Sequence, residues 1–224
     1  MLIIFDVDGT LIGGEEYDWK AFNDAFTDVT GREFSVEFWK SLEEVTASAI
    51  VHQGLSDLDI HERIRLEHQV RDRCLENLIQ SRSDNPGAFT CTDGASELLE
   101  FLHQSETYDV AIATGDWFKT IQYKLDTAGI GLERYSHATS SDALIRSEII
   151  KTAASRTTRT VEEAVYVGDG VWDIRACRQL NIPFIGTGQR IDKLKEEGAQ
   201  WTLPNLETEE FLATLDQLRQ RGNR

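Results

Sequence analysis

The stretch Leu2–Leu11, LIIFDVDGTL, decides the fold of this chain because it joins an apolar strand directly to two acidic residues. Residues i and i+2 of an extended chain point to the same side, so Asp6 and Asp8 can address one ligand from the end of the strand. Gly9 permits a backbone bend there, and Thr10 offers a hydroxyl and an amide nearby. Two carboxylates this close to each other require a cation.

The length and charge of the chain limit its architecture and its partners. Its 224 residues suit one core of about 150 residues plus a small accessory domain. The 39 acidic residues exceed the 23 basic ones, which gives a formal net charge of -16. Nucleic acids and anionic membranes attract basic patches, so we expect neither as the main partner, and we expect a monomer or a weak homodimer.

The cysteines and apolar runs indicate the compartment. Cys74, Cys91 and Cys177 are widely spaced and odd in number, which argues against a disulfide framework or a zinc site and favours a reducing compartment. No apolar run approaches the roughly 20 residues that span a membrane. The strand that starts at Leu2 leaves no room for a secretory signal, so we expect a cytoplasmic protein.

Short, almost continuous apolar runs predict the strands of the core. They cover residues 2–6, 109–113, 164–168 and 182–186. Such runs, alternating with helix-like stretches, are typical of an α/β fold in which helices cover both faces of a parallel sheet. Because these sheets bind ligands at the carboxyl ends of their strands, we expect four polar residues to converge on one cleft: Asp6, Asp8, Thr114 and Asp169.

The pattern changes between residues 14 and 86, where helical periods replace the strands. Asn85, Pro86 and Gly87 then break the last of these helices. We therefore predict a catalytic core formed by residues 1–13 and 87–224, interrupted by a small all-helical domain at residues 14–86.

Three segments carry a resemblance to a known family. Leu2–Leu11 resembles the first motif, D-x-D-G-T-L, of the haloacid dehalogenase superfamily of phosphohydrolases. Ile112–Gly115 is similar to its second motif, and Val165–Asp173 to its fourth, G-D-x-x-x-D. All three occur in the family's order, each after a strand-like run, which makes the combination specific. The resemblance implies a three-layer, Rossmann-like core whose helical insertion is the cap domain of the phosphoglycolate phosphatase-like branch.

The resemblance also implies catalytic roles. Asp6 would be the nucleophile that forms an aspartyl-phosphate, while Asp8 would protonate the leaving alcohol and then activate water. The implied cofactor is Mg²⁺, held by a carboxylate oxygen of Asp6, the backbone carbonyl of Asp8 and a carboxylate oxygen of Asp169. Asp173 would orient waters on the metal or the cation of the third motif, and Thr10 would lie beside it in the layer of residues around these ligands.

The same resemblance assigns the phosphate contacts. Thr114 and the amide of Gly115 would donate to the phosphate where the next helix begins. The family commonly places a Lys at its third motif, whereas this chain offers Arg146 or, about one turn later, Lys151. We prefer Arg146, because its place at a helix start faces the strand ends, and keep Lys151 in reserve. An Arg can bind phosphate through two parallel hydrogen bonds.

Three functions remain open. The first is a Mg²⁺-dependent phosphatase acting on a small phosphorylated metabolite of the phosphoglycolate or sugar phosphate type. The second is a phosphomutase, which would also use Asp6 and Asp8. A haloacid dehalogenase is disfavoured, because those enzymes lack the second of these acids and use no metal. The third is a binding protein that has kept the fold without catalysing a reaction.

Overall fold

The sheet of this protein has six parallel strands. The structure, a computed structural model, describes residues 1–222. Its strands are β1 (Leu2–Phe5), β2 (Asp109–Ala113), β3 (Ser136–Ala138), β4 (Ala164–Gly168), β5 (Phe184–Gly186) and β6 (Trp201–Thr202). They lie in the order β3-β2-β1-β4-β5-β6, so β1 is near the centre. The predicted α/β class is confirmed.

Ten α-helices accompany this sheet within residues 1–222. They are α1 (Glu15–Thr30), α2 (Val36–Ser41), α3 (Ala47–Gly54), α4 (Ile60–Asp84), α5 (Ala95–His103), α6 (Phe118–Thr127), α7 (Arg146–Ser155), α8 (Val171–Leu180), α9 (Ile191–Glu196) and α10 (Thr208–Gly222). Helices α5, α6 and α10 pack on one face of the sheet, and α7, α8 and α9 pack on the other. The core therefore has three layers.

Strand β1 explains why the sheet is buried on both sides. Ile3 and Phe5 enter one apolar cluster, whereas Leu2 and Ile4 enter the cluster on the opposite face. All four side chains are fully buried. This arrangement is the reason for the continuous apolar run in the sequence, because alternate residues of a strand point to opposite faces.

The predicted strands agree with the structure except at a few positions. The ranges 109–113 and 164–168 are β2 and β4, while the first run ends one residue earlier than predicted and the fourth begins two residues later. Strand β3 was not predicted. It contains only Ser136, His137 and Ala138, and its pairing with β2, rather than an apolar pattern, makes it a strand.

Residues 14–86 contain α1 to α4 and no strand. These helices form an apolar cluster that includes Phe22, Phe26, Val51 and Leu78, and Phe89 and Trp117 from outside this range also belong to it. We call residues 14–86 the helical insertion. The division of the chain into a core domain and a cap domain with these boundaries stays a prediction.

The topology places a crevice between β1 and β4. From β1 the chain builds β2 and β3 on one side, then returns past β1 to build β4 on its other side. At such a reversal the connections leave in opposite directions, which opens a ligand crevice beyond the carboxyl ends of the strands. The amide of Asp6 donates to the carbonyl of Val167 at 2.9 Å, which aligns the ends of the two strands.

Two further properties of the described residues concern membranes and thiols. No helix within residues 1–222 combines the length and apolar character needed to cross a membrane. Cys74, Cys91 and Cys177 are all free thiols.

Candidate active site

Three buried carboxylates meet where β1 and β4 end. Asp6 follows β1, Asp169 follows β4, and Asp173 lies in the first turn of α8. Their nearest oxygen atoms lie within 4.8 Å of one another. Asp173 Oδ2 accepts a hydrogen bond from the amide of Gly170 at 3.0 Å. The structure therefore brings Asp6 and Asp169 together at the predicted crevice.

Gly9 allows the loop after β1 to pass over this cluster. Its φ angle is +77°, in the left-handed region that glycine tolerates best. A Cβ at this position would lie 2.5 Å from Asp169 Oδ2, closer than nonbonded atoms can approach. Both the bend and the close contact thus require glycine.

Arg146 is the cation that faces the cluster. It is the first residue of α7, and its Nη1 lies 3.0 Å from Asp173 Oδ1 and 3.5 Å from Asp6 Oδ1. A Cβ on Gly115 would lie 2.4 Å from Arg146 Nη2, so glycine makes room for the guanidinium group. Lys151 instead lies on the surface, 49% exposed and paired with Glu148 at 2.9 Å. Only Arg146 of the two candidates reaches the site.

The cluster carries more negative charge than its cations balance. Burial, together with the charge of Asp173, raises the pKa of Asp6 to about 7 although Arg146 opposes the shift. Burial, with Asp6 nearby, also raises the pKa of Asp169 to about 8. Burial alone would lower the pKa of Arg146, but the carboxylates of Asp173 and Asp6 raise it overall, so this guanidinium stays charged.

This donor set fits a divalent cation. Mg²⁺ prefers carboxylate oxygens and is commonly held by one or two of them together with substrate phosphate. Asp6 and Asp169 offer such oxygens within 4.8 Å of each other, in surroundings with surplus negative charge. Asp173 differs from them because Arg146 and the amide of Gly170 already bind its carboxylate.

A second acidic group surrounds Lys124, a wholly buried residue of α6. Its Nζ lies 2.7 Å from Asp8 Oδ1, 2.6 Å from Asp18 Oδ1 and 2.8 Å from Asp116 Oδ2. The three carboxylates are close enough together to hold a metal ion, but the ammonium group already occupies that place. Asp18 belongs to α1, so Lys124 also joins the core to the helical insertion.

Lys124 fixes the position of Asp8. The Asp8 side chain is 24% exposed, and Lys124 donates a hydrogen bond to its Oδ1. Burial raises the pKa of Asp8 to about 6, although Lys124 opposes the shift. Sequence reasoning did not assign Lys124 a role, because its ion pairs with Asp8 and Asp18 join residues that are 116 and 106 positions apart along the chain.

A small cavity of about 90 Å³ lies between these charged groups and the helical insertion. From the core, it is lined by Asp6, Asp8, Thr114, Gly115, Asp116, Arg146 and Asp169. From the helical insertion, it is lined mainly by Asp18, Trp19, Phe22, Ile50 and Cys74. The four residues expected to converge on one cleft do so.

The two threonines named from the sequence are both buried, but only Thr114 lines the cavity. Thr114 is buried and lines the cavity, and its hydroxyl accepts a hydrogen bond from the amide of Asp116 at 3.3 Å. Thr10 is also buried, and its carbonyl accepts from the hydroxyl of Thr92 at 2.6 Å. The Thr10 hydroxyl has no hydrogen-bond partner among residues 1–222.

Sequence reasoning missed three residues at the cavity edge. Arg190 Nη2 lies 3.5 Å from both Asp169 Oδ2 and Glu15 Oε1. The guanidinium carbon of Arg190 lies 5.6 Å from the ring centre of Trp172, and that of Arg146 lies 5.9 Å from it. Trp172 is inside the fourth motif, where its size could have drawn attention, whereas nothing in the sequence marks Arg190 or Glu15.

The comparisons with known proteins identify the family. Residues 3–187 match the family model described as haloacid dehalogenase-like hydrolase. The chain belongs to this family. The predicted membership is therefore confirmed, and this hydrolase carries the family's first, second and fourth motifs around the cavity. A comparison with curated protein sequences gave no match.

Solved structures of similar fold cover nearly the whole hydrolase. A hydrolase from Pseudomonas syringae is 19% identical, with 96% of this chain and 97% of that chain covered and a TM-score of 0.74. β-Phosphoglucomutase from Clostridium difficile is 18% identical, with 100% and 99% covered and a TM-score of 0.75. CbbY from Rhodobacter sphaeroides, solved in complex with phosphate, is 18% identical, with 92% and 94% covered and a TM-score of 0.71. Identities this low establish the shared fold alone.

Replacing Lys124 tests the buried charge group. Lys124→Met would leave Asp8, Asp18 and Asp116 without their shared cation, so we expect a loss of about 3–5 kcal/mol in the free energy of unfolding. Urea denaturation would measure it. Lys119→Met is the matched control on the same helix, because Lys119 is 57% exposed and should change stability little. Equal losses in the two variants would contradict this account.

Proposed function

We propose that this hydrolase is a Mg²⁺-dependent phosphatase that hydrolyses a small phosphorylated metabolite through an aspartyl-phosphate intermediate. The observation that carries the proposal is the position of Asp6. Its carboxylate lies at the crevice between β1 and β4, lines the cavity, and lies 3.5 Å from a buried guanidinium group. Phosphoglycolate and sugar phosphates are the substrate types that the family resemblance implies.

Asp6 supplies the nucleophile in this mechanism. A bond forms between its carboxylate oxygen and phosphorus while the bond from phosphorus to the alcohol oxygen breaks. Arg146, the Thr114 hydroxyl and the Gly115 amide bind the phosphoryl oxygens and hold them in line with Asp6. The proximity of Arg146 to Asp6 and the place of Thr114 and Gly115 in the cavity wall support these assignments.

Asp8 supplies the proton. It donates to the alcohol oxygen as that oxygen leaves, and the resulting carboxylate then takes a proton from the water that hydrolyses the aspartyl-phosphate. Its pKa, raised by burial to about 6, suits a group that must give and take a proton near neutral pH. Lys124 keeps its carboxylate in one orientation.

In this proposal Asp6 and Asp169 would hold Mg²⁺, and the family resemblance adds the backbone carbonyl of Asp8 as a further ligand. When bound there, the ion neutralises negative charge on the phosphoryl oxygens. Asp173 keeps the Arg146 side chain turned toward Asp6 through its 3.0 Å ion pair. The buried Thr10 stabilises the loop after β1 that carries Asp8.

The helical insertion acts as a cap in this proposal. The insertion supplies one wall of the cavity, so its movement relative to the core would control the entry of substrate. A cytoplasmic location and a monomeric or weakly dimeric state complete the proposal.

Removing the nucleophile should abolish turnover. We expect Asp6→Asn to stop release of inorganic phosphate from a panel of small phosphomonoesters, because an amide does not attack phosphorus as a carboxylate does. Asp24→Asn is the control, since Asp24 is a half-exposed residue of α1 paired with Lys20. Undiminished phosphate release by the Asp6→Asn variant would exclude the mechanism. If the original chain instead moves phosphate from one position of the substrate to another without releasing it, the protein is a mutase.

Removing the metal should cause a reversible loss of both phosphate release and folding stability. We expect EDTA to stop phosphate release and excess Mg²⁺ to restore it. Mg²⁺ at about 100 times its Kd should stabilise the folded protein by about 2.7 kcal/mol, which thermal unfolding would detect without any substrate. Asp169→Asn should weaken this stabilisation. If Mg²⁺ stabilises the variant as much as the original chain, Asp169 is not a ligand of the metal.

The third motif can be tested with two matched substitutions. Arg146→Lys keeps the charge but loses the forked donor geometry, so we expect kcat to fall by about tenfold or more. Lys151→Gln should leave kcat unchanged because Lys151 lies on the surface. The opposite order of effects in steady-state kinetics would assign the third motif to Lys151.

A further inference from the structure

Helix α1 presents one face to the cavity. Glu15, Asp18, Trp19 and Phe22 all line it, at positions i, i+3, i+4 and i+7. The phosphoryl group of a substrate must lie at Asp6, so its alcohol portion points toward this face. The residues of α1 therefore meet the part of the substrate that differs from one phosphate ester to another.

Acidic side chains of α1 and of the core line the cavity together. Asp8, Asp18 and Asp116 all bind one ammonium group, that of Lys124, so this cation is already occupied by three carboxyl groups. The first turn of α1 also carries three acidic residues, which offset the positive end of the helix dipole.

The guanidinium groups of the cavity already have acidic partners within the site. Arg146 is bound to Asp173, to Asp6 and, through Nη2, to the carbonyl of Val45 at 3.0 Å. Arg190 lies against Asp169 and against Glu15 of α1. Among the described residues that line the cavity, these two are the basic ones, so none remains to pair with an anion on the alcohol portion.

The rest of the cap-side wall is apolar and aromatic. Trp19, Phe22 and Ile50 contribute most of it, and Cys74 of α4 completes it. Aromatic faces next to carboxylates accept apolar groups, hydroxyl-bearing carbons and ammonium groups. A carboxylate or a second phosphate here would lose its water and meet like charges, which is costly.

We propose that the substrate of this hydrolase is a phosphomonoester whose alcohol portion carries no negative charge, being neutral or cationic. The inference rests on the proposed phosphatase function and deepens it. It excludes phosphoglycolate from the two substrate types that the family resemblance implies.

Three two-carbon esters test the charge of the alcohol portion at nearly constant size. Ethyl phosphate is neutral there, O-phosphoethanolamine carries an ammonium group, and phosphoglycolate carries a carboxylate. We expect kcat/KM for phosphoglycolate to be about tenfold or more below that for ethyl phosphate, and O-phosphoethanolamine to equal or exceed ethyl phosphate. A kcat/KM for phosphoglycolate equal to or above that for ethyl phosphate overturns the inference.

Two variants locate the source of the discrimination. Asp18→Asn replaces a carboxyl group on the cavity-facing side of α1 with a neutral amide, and Glu15→Gln frees Arg190 from one of its carboxylates. Each should raise the ratio of kcat/KM for phosphoglycolate to that for ethyl phosphate by about threefold or more. Asp24→Asn changes the same charge on the exposed face of α1 and should leave the ratio unchanged. Equal ratios in all three variants would overturn the assignment to this face.

The test also separates the two proposals. If none of the three esters, nor p-nitrophenyl phosphate, releases phosphate in the presence of Mg²⁺, the phosphatase function fails and the inference fails with it. If phosphate is released but phosphoglycolate is the best substrate, the phosphatase function stands and the inference alone is overturned.

Discussion

Two buried cations hold the acidic centre of this protein together. Arg146 joins Asp6 to Asp173, and Lys124 joins Asp8 to Asp18 of α1 and to Asp116 of the loop before α6. Carboxylates buried at such density would repel one another and keep their protons. The cations make it possible to place the two acids of the first motif in separate surroundings, although they are only two residues apart along the chain.

That separation matters for chemistry. Asp6 faces Arg146 and Asp169, where charge can be neutralised around a phosphoryl group, whereas Asp8 faces Lys124. Neighbouring acids with different partners can take different roles, one attacking and the other moving a proton. The alternation of side chains in an extended segment brings both acids to the same crevice, and the different cations then distinguish them.

The architecture could be predicted from the sequence because it depends on local patterns. Continuous apolar runs marked β2 and β4 to the residue, and the acids that follow β1 and β4 marked the edge at which the site forms. Strand β3 could not be found in this way, since the segment Ser136–Ala138 is short and polar and becomes a strand through its partner.

The ion pairs of the site were beyond the reach of local patterns. Nothing in the local sequence distinguishes Lys124 from the other lysines on helices, and only the packed structure shows that it is fully buried among three carboxylates, two of which come from the distant segment around β1 and α1. Arg190 likewise reaches the site because the segment that follows β5 brings it there. Such contacts depend on tertiary packing, which a pattern along the chain does not record.

The contact between Lys124 and Asp18 has a consequence for how the molecule responds to its solution. Any movement of the helical insertion away from the core must part this ion pair, and must also break the hydrogen bond from Arg146 to the carbonyl of Val45. Salt screens exposed charges strongly and buried pairs weakly, so dissolved ions favour the separated arrangement of these charges. If the helical insertion is the cap proposed above, ionic strength would therefore influence how often the cavity opens.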